Sequence, residues 1–332
     1  MVRPVMNPRS KAVAVRKPTV PAGRPSIALA LGGGGARGLA HILMLEVFDE
    51  LGLRPKIIAG TSIGAIFGAA YASGLSARQI RAHTEEALSR RLDIIRQLVS
   101  ARSEPVLRIF NILPVRSALL KPEALLELLL PSGVARDFAQ LDIPLKVVAT
   151  DYYAQEQAVF SAGPLRTAVA ASMALPALFT PVSIDGRVLF DGGLVNPLPF
   201  DILNGEADIT VAVDVSGGPA EPGKRPVPSA FSALISASQI MQHSIVREKL
   251  KARQPDVYVD VEVDAFYVLD FYRFREILAA AAGAKERLRR QLLRVLSSQT
   301  AETLPEAAGQ EPAAPPRKRR LPRLERLGRS RP

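Results

Sequence analysis

Two kinds of apolar run alternate along the chain. Ser26 to Leu31 is a short unbroken apolar stretch stopped by four glycines, and beyond it Leu39, Ile42, Leu43, Val47 and Leu51 recur at helical spacing. The pattern predicts a strand, a glycine loop and a helix. Lys56 to Ala59 repeats the strand signal, and Ile63 to Ala72 follows as a helix of small residues ending near Gly74. Helical spacing returns at Ser76 to Leu88, Asp93 to Val99 and Pro122 to Leu130, with an irregular stretch around Asn111 to Ser117 that is apolar for a loop and could cover a site. Pro144 to Thr150, Ala158 to Phe160, Arg187 to Phe190 and Ile209 to Val215 read as strands, with a helix at Leu165 to Met173. A Pro-rich loop at Glu221 to Ser229 precedes helical patterns at Phe231 to Leu250 and Phe271 to Leu296, around a strand at Val257 to Val263. Strands alternating with helices predict a doubly wound α/β fold, a mostly parallel sheet with helices on both faces.

One stretch is long enough to suggest a membrane span, since Ile57 to Ala77 carries no charge. Its composition argues otherwise. Gly60, Thr61, Ser62, Gly64, Gly68, Ser73 and Gly74 interrupt it, and its opening β-branched pair suits a buried strand followed by a turn and a buried helix.

Composition sharpens the domain limits. The net charge of +11 is concentrated at the ends: residues 1–25 carry +6 and residues 315–332 carry +7, leaving −2 for the rest. Both ends are Pro-rich and poor in large apolar residues, so they bury too little surface to offset their ordering entropy. The expected organisation is a disordered basic tail at 1–25, one α/β domain at 26–298 and a disordered Pro/Arg-rich tail at 299–332. The absence of cysteine and of a secretory apolar segment sets a cytoplasmic expectation. Solubilising extensions are the plain account of the tails. A sharper one is peripheral adhesion to the anionic inner-membrane surface, at ~1 kcal/mol or less per basic residue. Attraction to nucleic acid would be non-specific and salt-dependent, so no specific nucleic-acid partner is expected.

The candidate chemistry sits in three glycine-containing motifs. Gly60-Thr61-Ser62-Ile63-Gly64 fits G-x-S-x-G between a predicted strand and helix, the context in which a serine is raised on a strained turn. The flanking glycines let that turn close, and it aims a helix N-terminus at developing negative charge. Gly33-Gly34-Gly35-Ala36-Arg37-Gly38 also matches G-x-G-x-x-G, but a dinucleotide site needs an acid at the end of the second strand, and Asp49 and Glu50 fall inside a helical pattern. A Walker loop fails because Leu39 and Ala40, not Lys and Ser or Thr, follow Gly38. A loop of free N–H groups at a helix start remains, able to hold an oxyanion beside an exposed serine.

A serine hydroxyl needs a base. His41, His83 and His243 all fall within helical patterns rather than at strand ends, and the expectation is that all three are structural or solvated. Asp191-Gly192-Gly193 follows a predicted strand. Two readings stand for it: a carboxylate meeting Ser62 across neighbouring strand ends, or an Asp-Gly turn capped by its own side chain.

In that order, the glycine loop, the elbow and the Asp191 turn resemble the patatin-like phospholipase family, most of all its bacterial single-domain members. Ala171-Ser172-Met173-Ala174-Leu175-Pro176, with Phe179, Thr180 and Pro181 after it, strengthens the likeness, which runs from about Ser26 to Val215. The resemblance implies a Ser62–Asp191 dyad without histidine, with backbone N–H groups near Gly34 to Arg37 as oxyanion donors. It implies release of fatty acid from phospholipid, lysophospholipid or related lipid esters, with no cofactor or metal, and leaves the oligomeric state open. Two further expectations follow: burial raises the pKa of Asp191, and Arg37 braces the loop in preference to holding an anionic headgroup. The rival from another class is a non-catalytic lipid- or protein-binding regulator that keeps the fold.

Overall fold

The computed structural model describes residues 24–90, 120–218 and 230–302. The predicted helix at Asp93 to Val99, the stretch at Asn111 to Ser117, the Pro-rich loop and nearly all of both basic tails lie outside the described residues.

Among the described residues eight strands form a single sheet: β1 (Ile27–Leu31), β2 (Ile57–Thr61), β3 (Leu145–Asp151), β4 (Glu156–Phe160), β5 (Val182–Ile184), β6 (Arg187–Asp191), β7 (Ile209–Asp214) and β8 (Val257–Asp260). The order is β5-β6-β3-β2-β1-β7-β8, with β4 also paired to β3. The five strands from β3 to β8 are mutually parallel. β4, β5 and β6 make an antiparallel edge. Chain order runs from β1 through β2 to β3 on one side and through β7 to β8 on the other, so the topological switch, where open α/β sheets leave a crevice, lies between the C-terminal ends of β1 and β7, with β2 ending beside it.

β1 shows why the sheet is doubly covered. Ile27, Leu29 and Leu31 point into the larger core beside α1 (His41–Glu50), α2 (Ile63–Ala72) and α3 (Ala77–Arg90). Ala28 and Ala30 point the other way, onto Leu198, Phe200 and Val246. Small residues on that second face let the segment around Leu198 and α6 (Ala230–Ala252) approach closely. The remaining helices among the described residues are α4 (Pro122–Leu129), α5 (Leu165–Ser172), α7 (Phe274–Ala280) and α8 (Ala282–Glu302).

Several predicted boundaries shift. The first helix opens as a 3₁₀ segment at Gly35–Ala40 before α1 begins at His41. The late strand stops at Asp260 instead of Val263. The long C-terminal helical pattern divides into a 3₁₀ turn at Phe271–Arg273, α7 and α8, with the break at Ala281 in a run that lacks large side chains. β5 is an addition: Asp185 and Gly186, both at positive φ, turn it back into β6 as a two-residue hairpin.

Candidate functional site

The sheet register explains how Ser62 and Asp191 meet. Val147 and Val148 pair with β2 on one edge of β3 and with β4 on the other. Ala149 to Asp151 keep β4 on the second edge but pair with β6 on the first. β2 and β6 therefore share one edge of β3 and run toward each other. Thr61 ends opposite Val148, and Asp191 ends opposite Ala149. Two strands arriving head to head bring their C-terminal residues together, and the Ser62 Oγ–H donates to Asp191 Oδ2 at 2.6 Å.

Ser62 sits at φ 54°, ψ −120°, a conformation costly for a residue with a side chain and held only by its surroundings. A Cβ on Gly64 would lie 2.1 Å from Leu31 O, so the elbow closes only with glycine there. Gly60 is likewise pressed against Ala65. Thr61 is buried, and its hydroxyl donates to Asn196 O at 2.8 Å, tying the elbow to the chain beyond Gly192 and Gly193. Ile63 begins α2 and packs against Gly38.

Asp191 is 5% exposed. Its Oδ1 accepts from the Gly193 N–H at 2.7 Å, so the turn caps itself and engages Ser62 with the other oxygen; both readings of the motif hold together. Burial pushes the carboxyl up to about 6, against the opposing pull of the hydrogen bonds from Ser62 and Gly193.

The glycine loop divides its labour. The Gly33 N–H donates to Pro197 O and the Ala36 N–H to Val268 O, which removes both from the expected set of oxyanion donors. The N–H groups of Gly34 and Gly35 have no partner among the described residues, and both residues line the pocket that holds Ser62. Gly35 has φ 59° and would set a Cβ 2.4 Å from Val268 O. Arg37 turns away from the pocket. It is buried, its Nε donates to Phe266 O at 2.7 Å, and its Nη1 donates to Ser216 O. It braces the loop.

The three histidines stay clear of Ser62's pocket. His41 is fully buried, donates from Nε2 to Gly32 O at 2.8 Å, and is held down to about 4 by burial, so it is neutral. His83 is half-buried, and His243 is exposed beside Asp214 and Tyr258 in another groove.

Around Ser62 the pocket is mostly apolar, with Ser216, Ser238, Gln239 and Gln242 as its uncharged polar lining. Ile66, Leu125, Met173, Leu178 and Phe179 form part of the wall, and Ile235, Leu269 and Phe271 close it from the C-terminal third. Asp191 is the one ionisable side chain among its described lining residues. Sequence patterning missed this C-terminal wall, because helical spacing reports which residues are buried and not which cavity they face. Among the described residues no helix is long and apolar enough to cross a membrane.

An elbow serine facing a carboxylate, with free loop N–H groups alongside, next to the switch of an open α/β sheet, defines a class of protein that comparison with known chains narrows. The family model described as patatin-like phospholipase matches residues 29–204, just over half of the chain, and the chain belongs to that family. An NTE family protein of Mycobacterium tuberculosis is 37% identical over 209 residues, covering 62% of this chain and 53% of that protein. Human patatin-like phospholipase domain-containing protein 6 is 31% identical over 276 residues, covering 76% of this chain and 19% of that protein. The chain thus spans about half the length of the mycobacterial relative. Among solved structures, VipD from Legionella pneumophila aligns with a TM-score of 0.45 at 17% identity, covering 82% of this chain and 67% of that one.

Proposed function

We propose that the protein is a serine acyl hydrolase that releases fatty acid from phospholipid, lysophospholipid or related lipid esters. The observation that carries this is the 2.6 Å contact between Ser62 Oγ and Asp191 Oδ2 at the base of an apolar pocket. Ser62 attacks the ester carbonyl carbon as its proton passes to Asp191. The N–H groups of Gly34 and Gly35 hold the oxyanion, and α2 directs its N-terminus at the same charge. Collapse expels the alcohol, which takes the proton from Asp191. Water then attacks the acyl-serine and gives its proton to Asp191, which passes it to the departing Ser62 oxygen, leaving free fatty acid, the restored Ser62 hydroxyl and an ionised Asp191.

The environment of Asp191 fits this work. A carboxyl at about 6 is a stronger base than a surface aspartate, yet stays mostly ionised at neutral pH. An apolar wall suits an acyl chain, whose burial contributes ~0.8 kcal/mol per CH₂.

The test is fatty-acid release from lysophospholipid, phospholipid and short p-nitrophenyl esters by wild type, Ser62→Ala and Asp191→Asn. Loss of at least about a thousandfold in both variants is expected. Equal activity in all three on any ester overturns the dyad, and an inert wild type on every ester moves the non-catalytic regulator forward.

A further inference from the structure

Met173 and Leu175 of the stretch Ala171 to Pro176 line the pocket, but Ser172 and Ala174 take no part in the chemistry above and grip both members of the dyad from behind. α5 ends at Ser172, which is wholly buried. The Ser172 hydroxyl donates to Val148 O at 2.5 Å and accepts from the Ser62 N–H at 2.8 Å. Two residues on, Ala174 O accepts from the Asp191 N–H at 3.0 Å. Val148 is itself the register partner of Thr61, and Ala149 that of Asp191. Residues 172–174 therefore bridge the point where β2 and β6 abut.

This arrangement answers two physical needs. Ser62 sits at positive φ, and such a conformation lasts only where neighbours over-determine it. The hydroxyl of Ser172 fixes the Ser62 N–H in one direction and is fixed in turn by a strand carbonyl. The same contact withdraws the Ser62 N–H from the oxyanion donors and leaves that role to the loop. A buried hydroxyl with both its donor and an acceptor lone pair engaged is a rigid link.

We infer that Ser172 is a positioning residue for the dyad: its hydroxyl holds the elbow backbone so that Ser62 Oγ stays in hydrogen-bond contact with Asp191. The inference rests on the proposed hydrolase reading. It predicts that loosening Ser172 lengthens the contact without changing the acyl pocket, so the loss falls on kcat and not on KM.

The experiment compares wild type, Ser172→Ala and the near-isosteric Ser172→Cys in kcat, KM and pH–rate profile on a p-nitrophenyl ester, with thermal unfolding of each. Ser172→Ala is expected to lose about 10- to 100-fold in kcat with KM held within about twofold. Its acid inflection is expected to move upward, because the Ser62 hydrogen bond that lowers the Asp191 pKa is weakened. Ser172→Cys falls between the two and carries the test if the alanine variant does not fold. An inflection unmoved from wild type overturns the inference, whatever happens to Tm. If wild type itself is no faster than Ser62→Ala on every ester, the hydrolase reading fails separately. Titration of the Asp191 carboxyl by ¹³C NMR then decides on Ser172: an upward shift in the variant supports the link, and no shift removes it.

Discussion

Residues 27–72 and residues 230–302 wall the same pocket by different means. The first region brings its chemistry in compact motifs: a glycine loop after β1 and a serine elbow after β2, each fixed by local backbone geometry. The second brings no motif. It lends side chains such as Ile235, Leu269 and Phe271 to the wall, and two carbonyls to the loop: Val268 O takes the Ala36 N–H, and Phe266 O takes Arg37 Nε. Carbonyl oxygens are the same in every residue, so support given through them leaves no trace in residue type. A site legible from its motifs is thus held in shape by a region that is silent.

The sharpest way to break this division is at Gly35. An alanine there must adopt φ near 59° and meet Val268 O at 2.4 Å, so the loop has to leave the C-terminal third or distort. Losing the aim of one oxyanion donor costs ~10² to 10³ in rate. Gly35→Ala is expected to lose that much in kcat on short and long esters alike. Activity within a few-fold of wild type would mean that the C-terminal third does not set the loop.

Arg37→Met comes next. It keeps the stem but strands the carbonyls of Ser216 and Phe266, at about 1–3 kcal/mol for each buried acceptor left unpaired. Tm should fall, and kcat should fall by about tenfold as the loop loosens. A fall in Tm with kcat unchanged would reduce Arg37 to a structural brace remote from the reaction.

The contrast between the regions also explains what the sequence disclosed. The strand–loop–helix order of residues 26–72 was legible because each element carries its own signal: a short apolar run, four glycines, a helical period. Asp191 was legible as a strand-end acid beside two glycines. The head-to-head meeting of β2 and β6 was not, because it depends on β6 running antiparallel to β3, and that reversal follows from the hairpin at Asp185-Gly186. The dipeptide was a usable sign, but three residues of β5 are too few to show a period. Nor could spacing say which N–H groups of the glycine loop were already spent on Pro197 and Val268.

Asp191 supplies a prediction on stability as well as rate. Its folded pKa, about 6, lies above the unfolded value near 3.8, so the folded state holds its proton more tightly. The carboxyl therefore weakens folding as pH rises from about 4 to 6, by up to about 3 kcal/mol for two pKa units. The rate should fall about tenfold per pH unit below 6, since the proton acceptor is then protonated. Asp191→Asn should be dead yet melt higher than wild type at pH 7, the gap closing toward pH 4. A variant no more stable than wild type at pH 7 would show that the carboxylate is better solvated than its burial implies.

The smallest effect separates the two walls most cleanly. Ile235, on α6, lines the pocket from the C-terminal side, and Ile66, on α2, lines it from one turn beyond Ser62. Removing bulk at Ile235 leaves the elbow and the loop untouched and widens only the space for the acyl chain. The ratio of kcat/KM for long over short esters should shift by about 3- to 10-fold, the scale of one or two methylenes in an apolar pocket, with the short-ester rate unchanged within about twofold. Ile66→Ala opens the same cavity but unpacks the helix that carries the elbow, so the short-ester rate should fall together with selectivity. If the two variants behave alike, the wall and the chemistry are not separable, and the C-terminal third takes part in the reaction as directly as the motifs do.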